Sequence, residues 1–151
     1  MKIRRSHSSS LALASALLPF SVQADTTAEN DVWKMLTDIA IEEVVTGTTY
    51  EVRKSWPERF ARDIPNVEIT GFAVPTLPGQ DVRELILTSD ADICPLCGEG
   101  GHNATLQVLL ETPITNLEEG QRITLRGTLS RVEDPETWQA ARLVAAKITD
   151  L

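Results

Sequence analysis

Thiols and imidazoles are scarce in this chain: Cys94 and Cys97 are its two cysteines, and His7 and His102 its two histidines. Any metal or redox chemistry therefore concentrates on residues 94–102. No Gly-x-Ser-x-Gly elbow presents a nucleophile, and no phosphate-cradling loop or dinucleotide fingerprint occurs. Basic residues are outnumbered 14 to 22 by acidic ones, for a formal net charge of −8, and no Lys/Arg cluster is interleaved with aromatics. A surface that acidic repels phosphate backbones, so nucleic acid is excluded as a partner. There is no internal repeat and no low-complexity tract.

The long apolar run, Leu11 to Phe20, is too short to span a bilayer as a helix. Lys2, Arg4 and Arg5 precede it, and Val22-Gln23-Ala24 follows with a small-x-small cleavage pattern before Asp25. That is the layout of a secretory signal peptide over residues 1–24. No cysteine sits at the cleavage point, so a lipid-anchored form is not expected. The reading is an exported, periplasmic protein with no membrane insertion after cleavage. What remains is a flexible stretch, 25–31, and one domain over 32–151; the length suffices for one core and not for two.

Within that domain Trp33, Leu36, Ile39 and Ala40 recur at helical spacing, which predicts a helix over Val32 to Val45 with Asp31 as its cap. Ser55-Trp56-Pro57-Glu58 has the spacing of a second, short helix start. From Val67 the period changes to two. Strands are expected at Val67–Val74, Val82–Thr88, Ala104–Glu111, Gln121–Val132 and Ala141–Thr149, with Gly71 and Gly127 inside two of them. Five short strands with close turns predict a mainly β fold: a small five-stranded OB-like barrel with one or two N-terminal helices. Trp33, Trp56 and Trp138 are read as core or barrel-plug residues rather than as the walls of a ligand groove.

The order Trp33-x-x-Leu36, Val67-x-Ile69-x-Gly71-Phe72-x-Val74-Pro75, Leu85-Ile86-Leu87 leading to Cys94, then Gln107-Val108 resembles the exported domain-of-unknown-function 3299 family. Ile123-x-Leu125-x-Gly127-x-Leu129 and Ala145-Ala146-Lys147-Ile148 fit the same pattern. The resemblance implies a small secreted OB-like barrel. It further implies a place beside ABC-type transport components and a link to metal starvation. After Cys94 the chain departs from that family's pattern. A Cys-x-His followed by a proline-rich loop is replaced here by Cys-Pro-Leu-Cys-Gly and a glycine-rich run to His102.

That run supports two readings. Cys94 and Cys97 can chelate one ion from a single turn, with Gly98, Gly100 and Gly101 allowing His102 into the same sphere. Cys-x2-Cys-x4-His supplies three ligands of a zinc knuckle. Knuckle spacing puts Gln107 at the fourth position, which leaves that place to a carboxylate (Asp92 or Glu99, with Asp90 and Glu111 as further candidates) or to water. Soft thiolates with imidazole favour zinc, then copper(I). The other reading is a Cys94–Cys97 disulfide in an oxidising compartment, stapling one loop of a metal-free binding or scaffold module that contacts another periplasmic protein. Thiol oxidoreductase chemistry is disfavoured, because Gly98-Glu99-Gly100-Gly101 cannot propagate the helix that would lower a thiol pKa. The sequence thus points to a non-enzymatic protein.

Overall fold

The structure, a computed structural model, describes residues 26–77, 81–92 and 105–151. A helix, α1 (Thr26–Thr37), is followed by a hairpin of β1 (Ala40–Thr46) and β2 (Thr49–Ser55) and by a 3-10 turn at Glu58–Phe60. Five further strands come after it: β3 (Ile64–Pro75), β4 (Val82–Thr88), β5 (Thr105–Ile114), β6 (Gln121–Arg131) and β7 (Ala141–Asp150). Alternation along these five decides the architecture. Ile69 and Ala73, Leu85 and Leu87, Leu106 and Val108, Ile123, Leu125 and Leu129, and Leu143 all point inward and are at most 1% exposed. One apolar face per strand, on strands too few to form a sandwich, is buried by curling the sheet on itself.

The curled sheet closes in the order β3-β4-β5-β7-β6. All neighbours are antiparallel except β5 and β7, which pair in parallel. This is the expected OB-like barrel. Gly71 permits the tight β3–β4 approach: a Cβ there would lie 2.5 Å from the Thr88 carbonyl oxygen and 2.8 Å from Leu87 Cγ. Gly127 lies where the β6–β7 register shifts, opposite a kink at Ala145 whose φ is +49°.

The N-terminal part differs from expectation. The helix ends at Thr37, and Ala40 to Thr46 is a strand, so only the first half of the stretch read as helical is so. Ile41, Val44, Val45 and Thr46 are β-branched, and Gly47, at φ +61°, begins a two-residue turn that pairs Thr46 with Thr49. A glycine leading a two-residue turn matches the twist of a hairpin, so this turn chemistry overrides the weak helical period. Asp31 lies inside α1 rather than capping it. The second helix is a single 3-10 turn without a side-chain cap; Ser55 ends β2, and Phe60, 1% exposed, is its anchor in the core.

α1 plugs one end of the barrel. Leu36 and Ile39 are 2% exposed, and the Trp33 indole N–H donates to the Thr70 carbonyl at 2.8 Å, its ring seated over Gly71. Among the described residues, no helix is long and apolar enough to cross a membrane.

Candidate functional site

The segment 89–104 lies between β4 and β5, and it starts after Thr88, which lies against Gly71 beside the Trp33 ring. Thr88 pairs with Thr105, which sets the two anchor points of the segment side by side. The departing limb is fixed by Thr88, 1% exposed, whose hydroxyl donates to the Asp90 carbonyl at 2.9 Å. The next turn is closed by the Asp92 N–H donating to Asp90 Oδ1 at 3.1 Å. Such an Asx turn redirects the chain without further secondary structure. The returning limb is touched from β6–β7: the Gln139 side-chain amide donates to Thr105 Oγ1 at 3.4 Å.

Cys94, Cys97, Glu99 and His102 lie outside the described residues. Of the remaining candidate ligands, Asp90 and Asp92 are exposed at the foot of the loop. Gln107 is engaged on the barrel wall, donating to Glu84 Oε1 at 2.7 Å, and Glu111 is ion-paired with Lys147 at 3.1 Å. Both point to other tasks than completing a coordination sphere at the loop. Among the described residues, no group of three or more His, Cys, Asp or Glu side chains is placed to hold a metal.

The three tryptophans are each half-buried. Trp33 belongs to the plug. The Trp56 indole donates to the Ala140 carbonyl at 2.8 Å, with the Arg131 guanidinium 5.5 Å above its ring. Trp138 lies beside Tyr50 and counteracts the rise in that phenol's pKa.

One residue that sequence reasoning passed over has a full set of partners. Lys54 Nζ donates to the carbonyls of Val132, Asp134 and Gln139 at 3.0, 2.6 and 2.8 Å. Burial lowers its pKa, and the Asp134 charge opposes that shift. The available signal was the spacing Val52-x-Lys54-x-Trp56, at which the Val52 backbone and the Lys54 and Trp56 side chains all bond to residues 132–140.

No family model matches the chain, and no curated protein does. Among solved structures, the chain is similar to a domain-of-unknown-function 3299 family protein from Pseudomonas aeruginosa PAO1. The two are 18% identical with a TM-score of 0.42, over 66% of this chain and 68% of the other. This structural neighbour comes from the same family that the residue patterns resemble.

Proposed function

We propose that this protein is a periplasmic, non-enzymatic accessory that binds a thiophilic metal ion, zinc first, through Cys94, Cys97 and His102. The observation that carries the reading is the Cys-x2-Cys-x4-His spacing in the segment between β4 and β5. Two thiolates and an imidazole form a donor set suited to zinc or copper(I), leaving one coordination position for Asp92, Glu99 or water. An incomplete protein set suits capture and hand-over of an ion better than permanent structural zinc. The resemblance stated above favours service to an ABC-type transport system.

A second reading has its own support. The outward side of β3, β4 and β5 carries Phe72, Val74, Ile86 and Leu109, all half-buried, around the Glu84–Gln107 hydrogen bond. A metal-free module with a Cys94–Cys97 disulfide would use such a face to contact another periplasmic protein.

Isolation of the exported protein without reductant separates the two. About one equivalent of zinc that protects two thiols from alkylation supports metal binding. A mass two hydrogens short, with neither thiols nor metal, supports the disulfide module.

A further inference from the structure

The loop that joins β6 to β7 is closed at its neck by the Val132 N–H, which donates to the Ala140 carbonyl at 3.1 Å. Inside it, the Glu136 N–H donates to Asp134 Oδ1 at 2.9 Å and the Gln139 N–H to Thr137 Oγ1 at 3.2 Å. These small turns aim three carbonyl oxygens, from both limbs of the loop, at a single point. Lys54 Nζ occupies that point, 2.6 to 3.0 Å from each. An ammonium has three hydrogens and no acceptor, so three carbonyls satisfy it completely. Convergent carbonyl dipoles repel one another unless a cation sits between them, and the Asp134 carboxylate deepens the negative potential there. Sequence separations of 78 to 85 residues mean that no local propensity builds this arrangement.

We infer that residues 132–139 form a primary-ammonium receptor, that the Lys54 side chain is its resident ligand, and that this occupancy sets the loop's conformation and holds the β1–β2 hairpin against the barrel. The receptor selects by donor geometry as well as by charge. A guanidinium spreads its donors in one plane, and a quaternary ammonium has none. The Val52 N–H, donating to the Pro135 carbonyl at 2.8 Å, and the Trp56 indole bond flank the ammonium on either side, so hairpin and loop are ordered as one unit. The inference is independent of what residues 94–102 bind.

Lys54→Ala removes three methylenes and the ammonium, and propylammonium replaces those atoms. Hydrogen exchange at the loop amides and at the Trp56 indole is read by NMR in both proteins. In Lys54→Ala these sites exchange at least about tenfold faster, as expected for a locally opened unit. Propylammonium chloride restores protection, tetramethylammonium chloride at the same ionic strength does not, and Lys54→Arg falls short of the wild type. Unchanged exchange in Lys54→Ala, or equal recovery with both salts, overturns the inference. Should Lys54→Ala fail to fold, the wild type alone decides. The Lys54 ammonium protons must then exchange far more slowly than those of Lys34, whose side chain is 72% exposed; equal rates overturn it.

Discussion

Gly71 shows how one missing methyl group fixes a junction. Strand β3, the end of β4 and the indole of Trp33 all meet over its Cα, and an added Cβ would also lie 3.0 Å from Trp33 Cζ2. Two of those neighbours are backbone or buried core, which cannot move aside cheaply. Gly71→Ala is therefore expected to destabilise the fold by about 3 kcal/mol, read from denaturant midpoints. Ala145 is the opposite case. Its φ of +49° costs an L-residue about 1 kcal/mol, and its side chain is exposed, so nothing is lost by removing it. Ala145→Gly should raise the thermal midpoint by a few degrees. Neither role is legible from sequence: a glycine inside a strand pattern does not say which neighbour approaches it, and Ala145 reads as an ordinary strand residue.

Elements were legible to different degrees. The five barrel strands follow from alternation because each has one buried and one solvated side, and Val82–Thr88 agrees to the residue. The β1–β2 hairpin was not, because Trp33, Leu36, Ile39 and Ala40 satisfy a helical period that continues past the point where the chain turns. Which strands would meet in parallel was equally hidden. Parallel pairing of β5 and β7 stops at Leu110 and Ala146, although both strands continue, to Ile114 and Asp150. A cavity of about 380 Å³ lies between the free edges, lined by Glu111, Pro113, Ile114, Lys147 and Ile148 among others. Open edges recruit other strands, and this one carries the usual deterrents: a proline, a kink at Ala145 and the Glu111–Lys147 ion pair across the gap. The double substitution Pro113→Val with Lys147→Val is expected to leave the monomer folded yet self-associating, seen as a concentration-dependent mass in light scattering.

At the scale of the whole molecule, the barrel stands on its own core, and the proposed metal ligands belong to the segment between Thr88 and Thr105. Among the described residues every buried side-chain polar atom has a hydrogen-bond partner, so the frame makes no demand on an ion for its own completion. Zinc should consequently raise the melting temperature without being needed for folding. The gain follows the free ion concentration, about 2.7 kcal/mol at a hundredfold excess over Kd. A chelator should abolish it, and so should Cys97→Ser. A cooperative loss of the barrel on chelation would contradict that division of labour. The candidate ligands come from a spacing that is local in sequence, and they lie outside the described residues. The Lys54 receptor was not legible, since its members come from two distant segments and its acceptors are backbone atoms that any residue carries.

The place of β7 has a temporal consequence. This strand seals the sheet by bridging β5 and β6, and it is synthesised after both. Until it has been synthesised, the preceding strands form an open, sticky ribbon whose aliphatic side has nothing to fold against. Maturation must therefore wait for the tail, and a chain halted before Ala141 should be cleared by proteases rather than survive as a smaller version of the protein.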